Sequence, residues 1–495
     1  MMRVTFVFDN VSLSHQPLGP CYISAVLKEA GHSVSGVNVD EGPDYVEKIV
    51  RTAPGILAFS TTTSQMPLYL KVNRELRREY SCFSLFGGHH PTFFPQMIEE
   101  EGVDAICVGE GEYPMLELLD LYESGKDYTG VAGMNYNING KIVSNPPRPF
   151  IDNKSLNQLP FPDRELIRDF PIWKYRIGYV IAGRGCPYDC SFCFNHVSRD
   201  TQAGRWTRIR SVDNVLAELR WLKDVYKVLY IAFQDDTFIL NRRWLREFLP
   251  RYGEEIGLPF MCNVRCDLTD EEEAQLLSQA GCIRVAMGIE NGQDDLRQKI
   301  LAKNISTEEI QNACDLYYKY GIRVMGQNMI GVPGETVEST ISTIELNIRA
   351  RTHINMFSFF QPFPGTKLAE LCAAEYGFSG DLNEIPREYQ DRLADSIKLN
   401  DKELIEKIGQ CAHLFTSYPR VFWFTKKVLS WLPSLRLKLW YLDILVRIKR
   451  ELLKKGEAGL PAVWHQPKFI MEAARSEQPD IPIQSVGREI RREAA

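Results

Sequence analysis

Cys186, Cys190 and Cys193 stand within residues 185–194, Gly-Cys-Pro-Tyr-Asp-Cys-Ser-Phe-Cys-Phe. Three thiolates at this CxxxCxxC spacing can each hold one iron of a cubane iron–sulfur cluster, whose closed form takes four cysteines. The fourth iron is then free to chelate a substrate or cofactor. Two plainer readings are a zinc site short of a ligand and a disulfide loop. Zinc sites usually pair their cysteines as CxxC and need a second pair downstream. Cys262 and Cys266 repeat only the CxxxC half of the pattern and read as unligated core or pocket thiols.

The run closely resembles the cluster loop of radical S-adenosylmethionine (SAM) enzymes. A second resemblance lies upstream. Pro17-Leu18-Gly19-Pro20 stands before a helical pattern, Tyr22–Ala30, that Gly31 stops. Gly87-Gly88-His89-His90-Pro91-Thr92 and Gly109-Glu110-Gly111 each follow a short apolar run. In this order, ahead of the cysteine triplet, they resemble the cobalamin-binding domain fused to many radical SAM enzymes, relatives of anaerobic Mg-protoporphyrin monomethyl ester cyclase and of cobalamin-dependent methyltransferases. The resemblance implies three cofactors: a 4Fe-4S cluster held by Cys186, Cys190 and Cys193, SAM, and cobalamin contacted by Leu18, Gly19, Gly87, Gly88, Pro91, Thr92, Gly109, Glu110 and Gly111. One departure stands out. His15 follows Asp9 at the wrong spacing for the Asp-x-His-x-x-Gly of cobalt-ligating histidines, which leaves the lower cobalt face without a protein His.

These residues need elements to position them. Over 1–145, strand runs (Val4–Phe8, Ser33–Val39, Ile56–Ser60, Ser84–Phe86, Ala105–Val108) alternate with helical patterns, including one near Pro95–Glu101. That alternation predicts a doubly wound, Rossmann-like α/β sheet with its ligand at the carboxyl ends of the strands. Residues 146–172 carry six prolines counting Pro171 and read as an extended, semi-rigid connector. Residues 173–395 hold six strand candidates (Tyr179–Ala182, Val228–Phe233, Phe260–Val264, Arg284–Gly288, Arg323–Ile330, Asn355–Phe360) separated by five helical patterns, a partial (β/α)6 barrel. Working residues of such barrels lie at the carboxyl ends of strands. The resemblance places Phe192 near adenine, Asp235 and Asp236 at the SAM ammonium group, Arg265 at the SAM carboxylate or ribose, and Glu290 near the ribose and amino acid. Plainer roles are a helix cap for the aspartates or Glu290, and an Arg265–Asp267 pair. Ser211 reads as an N-cap, and Gly331-Val-Pro-Gly-Glu335 as a structural turn.

The chain has 495 residues, 44% of them hydrophobic, with a net charge of −6. That balance gives no global attraction to nucleic acid. Twelve cysteines without a secretory-type apolar leader predict a reducing, cytoplasmic setting. The third region is 396–455, helical, with 456–495 a polar tail expected to be partly disordered. Between Arg420 and Lys455 ten Lys/Arg face only Asp443 and Glu451, with Trp423, Trp431, Trp440 and Tyr441 interleaved. Leu437, Tyr441, Ile444, Leu445, Ile448 and Leu452 form a stripe at helical spacing. A basic amphipathic helix of this kind either docks on the barrel or lies on an anionic membrane.

The resulting expectation is a cobalamin-dependent radical SAM enzyme that cleaves SAM to a 5′-deoxyadenosyl radical and methylates an unactivated carbon of a small-molecule or lipid-like metabolite. A flavodoxin- or ferredoxin-type protein would donate the electron. The alternatives are a non-methylating radical cyclase or oxidoreductase of the same family, and a cobalamin- or redox-responsive binding protein without turnover.

Overall fold

The computed structural model describes residues 1–454 apart from 15, 171, 172, 174 and 387–391. His15 and the tail from 456 onward therefore lie outside the described residues.

Seven strands build the first sheet: β1 (Arg3–Phe8), β2 (Ser33–Asn38), β3 (Ile56–Ser60), β4 (Phe83–Gly87), β5 (Ala105–Cys107), β6 (Met134–Ile138) and β7 (Lys141–Ser144). Val4, Phe6, Val7 and Phe8 are all buried because β1 is covered by helices on both faces. The order is β2-β1-β3-β4-β5-β6-β7, with the topological switch between β1 and β3. Strands β1–β5 run parallel as the alternation predicts, while β6 and β7 add an antiparallel hairpin that makes the sheet mixed. The helix expected near Pro95–Glu101 is a short helix, His89–Phe93, followed by a 3₁₀ turn, Pro95–Glu99.

The second sheet is parallel and curled, in the order β15-β14-β13-β12-β11-β8, consistent with a partial barrel. Its strands are β8 (Ile177–Val180), β11 (Tyr230–Phe233), β12 (Phe260–Val264), β13 (Cys282–Glu290), β14 (Arg323–Ile330) and β15 (Ile354–Phe359). A two-stranded ribbon, β9 (Gly183–Arg184) with β10 (Arg208–Ile209), brackets the cysteine loop. All five crossover helices start on a side-chain cap: Ser211, Asn241, Asp270, Ser306 and Thr336 each accept a backbone N–H of the first turn. Asn241, not Asp235 or Asp236, caps the helix after β11.

After β15 the chain adds helices Lys402–Ser417, Pro419–Trp431 and Leu435–Lys454. The first packs on β15 and on helix Val337–Arg349, carrying the other two on its far side. No described helix is long and apolar enough to cross a membrane.

The proline-rich segment is more than a spacer. Phe150, Ile151, Leu156, Leu159, Leu166, Ile167 and Phe170 are buried, most of them in the core that joins the first sheet to the barrel. Arg164 anchors it. Its guanidinium, fully buried, donates to Gln16 Oε1 (2.6 Å), the Tyr179 carbonyl (2.7 Å) and Glu218 Oε1 (2.8 Å). Arg210 takes the other Glu218 oxygen at 2.5 Å. One carboxylate thus neutralises two buried guanidiniums drawn from the connector and the barrel. Glu218→Ala strands both, and removing one partner of a buried ion pair costs about 3–5 kcal/mol. The expected result is a clear drop in the denaturant midpoint, while Glu272→Ala, which breaks an exposed pair with Arg246, leaves it within about 0.5 kcal/mol of the parent.

Candidate functional site

The cysteine loop is held from several sides. Ser191 N–H donates to the Leu301 carbonyl (3.0 Å), Leu368 N–H donates to the Ser191 carbonyl (3.0 Å), and the Trp206 indole donates to the Cys186 carbonyl (3.0 Å). The sulfurs sit among donors. Cys193 Sγ receives the Asn195 backbone N–H (3.5 Å) and side-chain amide (3.4 Å), Arg265 Nη1 lies 3.8 Å from Cys190 Sγ, and Thr237 Oγ1 lies 3.7 Å from Cys186 Sγ. Burial pushes the Cys193 thiol up to about 11 and raises Cys190 as well. Iron binding reverses that tendency, and N–H donors then stabilise bound thiolate. Among the described residues no three His, Cys, Asp or Glu converge as a single metal ion requires. A cubane spreads its cysteines over separate irons and does not need them to converge on one point. The donor set fits the cluster.

Phe192, half-buried, packs toward the apolar cluster beyond β15. Cys262 and Cys266 are buried in the barrel's main core. Asp235 and Asp236 hold the backbone that leads into the cysteine loop. The Asp235 oxygens accept the Ala182 (3.0 Å) and Gly183 (2.6 Å) N–H groups, and its enclosure pushes its pKa up to about 7. Asp236 accepts from Gly185 N–H and the Asn195 side chain, with burial raising its pKa and His89 opposing the rise. Arg265 does pair with Asp267 (3.0 Å through each nitrogen), but it is buried rather than solvent-facing, with its guanidinium 3.4 Å from the Tyr188 ring centroid. Glu290 sits at φ +67° at the end of β13 and pairs with Lys303 at 2.7 Å instead of capping a helix. Glu335 folds back onto the Gly331 and Val332 N–H groups, as a structural turn residue would.

Across from these loops lie the carboxyl ends of the first sheet. Gly88 takes φ +91°, and a Cβ there would meet the Thr61 nitrogen at 2.8 Å, so only glycine fits the turn. Thr92 Oγ1 donates to the Gly88 carbonyl (2.7 Å) and accepts the Gly109 N–H (3.0 Å), tying the two glycine loops together. Pro91 is buried, as is His90, which meets Thr63 Oγ1 at 3.2 Å and is pushed down to about 4 by burial. Leu18 and Gly19 open helix Leu18–Glu29, and Gly111 precedes helix Glu112–Glu123. The Thr61 hydroxyl, buried beside Gly88, has no hydrogen-bond partner. Glycine turns at the strand ends with an orphan hydroxyl beside them are what a ligand-binding loop set would carry, and in this respect the loops fit cobalamin.

The two sets of carboxyl ends meet. Phe93 stacks on Phe194 of the cysteine loop (centroids 4.5 Å), His89 stacks on Phe194 (6.3 Å), and Phe363 from the loop after β15 closes on the same ring (5.5 Å). His89 and Asp236 are solvent-accessible yet surrounded by protein on nearly all sides, as residues lining a cleft are. At its rim Arg184 of β9 donates to Glu110 (2.8 Å) and Glu112 (2.6 Å), and Arg208 of β10 reaches both Glu110 oxygens (2.9 and 2.8 Å). Glu110 also accepts the Ile151 N–H (2.9 Å), so its carboxylate braces the contact between the two units. Sequence reading missed Arg184, Arg208, Asn195 and Lys303 as site residues. The only local signal for Arg184 was its place two residues before Cys186.

Comparison with known proteins places this architecture. Residues 4–119 match the family model of the B12 binding domain, and residues 180–346 match that of the radical SAM superfamily. An uncharacterized methyltransferase of Pyrococcus horikoshii is 31% identical over 74% of this chain and 80% of its own length. The anaerobic magnesium-protoporphyrin IX monomethyl ester cyclase of Rubrivivax gelatinosus is 27% identical over 74% of this chain and 69% of its own. Among solved structures, the radical SAM methyltransferase TsrM of Kitasatospora setae, with cobalamin and a [4Fe-4S] cluster bound, superposes with a TM-score of 0.65 at 18% identity, covering 96% of this chain and 99% of that one. The chain belongs to the radical SAM enzymes that carry an N-terminal cobalamin-binding domain. It is thus an enzyme of 4Fe-4S, SAM and cobalamin chemistry.

The rim predicts its own test. Arg184→Ala leaves Glu110 and Glu112 without their shared cation, at a cost of about 3 kcal/mol. The expected outcome is a lower denaturant midpoint together with loss of cobalamin on gel filtration. Arg184→Lys recovers only part of either, because one ammonium cannot replace a guanidinium fork that reaches two carboxylates. Retained cobalamin in Arg184→Ala would count against the brace.

Proposed function

We propose that this enzyme transfers a methyl group to an unactivated carbon of a small-molecule or lipid-like substrate held in the cleft between the first sheet and the barrel. The observation that carries the reading is the stacking of His89 and Phe93, from the glycine-loop face, on Phe194 of the cysteine loop. The stacking brings the two sets of cofactor loops into contact, the proximity that methyl transfer between two cofactors and a substrate requires.

In this reading Cys186, Cys190 and Cys193 hold the cluster. Leu18, Gly19, the Gly87–Thr92 loop and Gly109–Gly111 shape the cobalamin face. Phe192, Asp235, Asp236, Arg265 and Glu290 belong to the SAM side. The chemistry these groups supply when bound is one-electron cleavage of SAM to a 5′-deoxyadenosyl radical and storage of a methyl group for transfer. The chain's own residues orient and enclose. Asp235 and Asp236 fix the backbone entering the cysteine loop, and Asp236, still accessible, is the carboxylate placed to meet a cationic ligand group. Arg265, turned onto Cys190, sets positive charge against the thiolate. Phe93, Phe194 and Phe363 exclude water from the centre of the cleft, which protects a radical from quenching. A flavodoxin- or ferredoxin-type donor supplies the electron. The basic aromatic helix Leu435–Lys454 meets a membrane surface, which favours a lipid-like substrate.

The second reading, radical cyclisation without methyl transfer, is favoured by the similarity to the monomethyl ester cyclase. One experiment separates the two. Anaerobically reconstituted enzyme receives SAM and a strong reductant, and S-adenosylhomocysteine and 5′-deoxyadenosine are quantified together. Both products are expected, with S-adenosylhomocysteine at least matching bound cobalamin. Deoxyadenosine alone assigns the cyclase-like reaction. Cys190→Ala is expected to lose cluster iron and, with it, 5′-deoxyadenosine formation, at least a hundredfold below the parent.

A further inference from the structure

We infer that the outer face of helices Pro419–Trp431 and Leu435–Lys454 docks on an anionic lipid bilayer. The inference gives residues to the membrane contact proposed above and does not depend on which reaction the cleft performs. The predicted stripe splits in the structure. Leu442, Leu445 and Val446 turn inward onto the packed helices, while Leu437, Trp440, Ile444 and Ile448, three or four residues apart, form a separate exposed row. Phe424 and Trp431 extend the apolar surface on the preceding helix. Trp431 is 78% exposed, and Trp440 and Phe424 are each 63% exposed. Both helices pack on helix Lys402–Ser417, and Thr425 Oγ1 meets Tyr441 OH at 3.2 Å, which links them at one point. Large side chains left in water in such a concentration mark an interaction surface.

Charge selects the partner. From Arg420 to Lys455 the count is ten basic residues against Asp443 and Glu451. Asp443 is neutralised by Lys407 at 2.7 Å. Lys426 turns to Glu345, and Lys449 donates to the Gln410 carbonyl (2.7 Å). Lys427, Arg436 and Arg447 are exposed and form no ion pair among the described residues, so they flank the apolar row with unopposed positive charge. A second copy of the chain meeting this face about a two-fold axis would bring like charges together. A nucleic acid would satisfy the cations and stack on the indoles, but it would leave Leu437, Ile444 and Ile448 against phosphate. A bilayer interface takes all three components: aliphatic side chains into the acyl boundary, indoles at headgroup depth and cations at lipid phosphate.

The test is co-sedimentation of the full-length, cofactor-loaded enzyme with phosphatidylglycerol/phosphatidylcholine vesicles and with pure phosphatidylcholine vesicles. Anionic vesicles are expected to carry down most of the protein and neutral ones about a tenth as much or less, with the difference shrinking as salt screens the cations. Trp431→Glu with Trp440→Glu, both at exposed positions, is expected to weaken vesicle binding at least tenfold while the visible absorption of the metal centre and SAM cleavage stay unchanged. Lys427→Glu with Arg447→Glu is expected to abolish the preference for anionic lipid. Equal binding to neutral and anionic vesicles, no binding to either, or binding unaffected by the tryptophan pair overturns the inference. So does a tryptophan-dependent dimer, or tryptophan-dependent capture of single-stranded DNA, without vesicle binding. A failure here with both nucleoside products still formed leaves the reaction assignment standing.

Discussion

Two α/β units, each with its working loops at the carboxyl ends of its strands, are useful together only if those ends point at one another, and buried charge at the rim holds them so. Arg184 lies two residues before Cys186, the first cysteine of the triplet, and is bound by Glu110 and Glu112 of the opposite unit. Arg208, on the paired strand, takes the remaining capacity of Glu110. Ionic contacts in a half-buried rim are directional, whereas the aromatic stack inside the cleft is not. The charges therefore set the register of the two faces, and Phe93, Phe194 and Phe363 fill the space that the register leaves. Deeper in, Arg164, Arg210 and Glu218 repeat the device between connector and barrel. In both places an unpaired member would be a buried charge, so a misaligned docking is penalised by far more than lost contact area.

Much of this was legible in the sequence, for reasons specific to each element. Ile56–Ser60, Phe260–Val264 and Arg323–Ile330 run as strands over the bounds read from the sequence, and the first shows why, since a strand covered on both sides leaves an unbroken apolar run over Ile56–Phe59. Helix Glu271–Gln279 starts on the Asp270 cap and ends at Ala280, just before Gly281. The cysteine triplet stands out in the sequence because its spacing is the one expected of cluster ligands. The family follows from that triplet and the glycine loops together.

The missed features depend on partners distant in sequence. Nothing local marks Arg184 as a rim cation, since its carboxylates lie 74 and 72 residues away. Lys303 finds Glu290 across a turn whose left-handed start is invisible to periodicity. The hairpin β6–β7 is polar on its exposed face and reads as loop. The proline-rich connector looks like a spacer by composition, yet its buried Phe150, Ile151 and Ile167 make it part of the interface core. The C-terminal stripe was correctly placed on a helix but averaged two faces. Residues 441, 442, 445 and 446 belong to the packed side, and 437, 440, 444 and 448 to the outer one. A helical wheel shows width without saying which half has a neighbour.

The adjacent aspartates show how fold and chemistry constrain each other here. A carboxylate at a strand end in a radical enzyme invites assignment to the ligand, but Asp235 already receives two backbone N–H groups from the segment entering the cysteine loop. An alanine there would remove the acceptor of both, at about 1–3 kcal/mol for each group left unsatisfied. Asp236 braces the same loop one turn further on while remaining open to the cleft and opposed to His89. The pair therefore divides the labour that one residue could not perform. Asp235 is committed to holding the loop rigid, and that commitment leaves its neighbour's carboxylate fixed in place but still reachable. Placement of a charged group in a cleft depends on a support that is not itself free to move, and the segment after β11 supplies both in two consecutive residues.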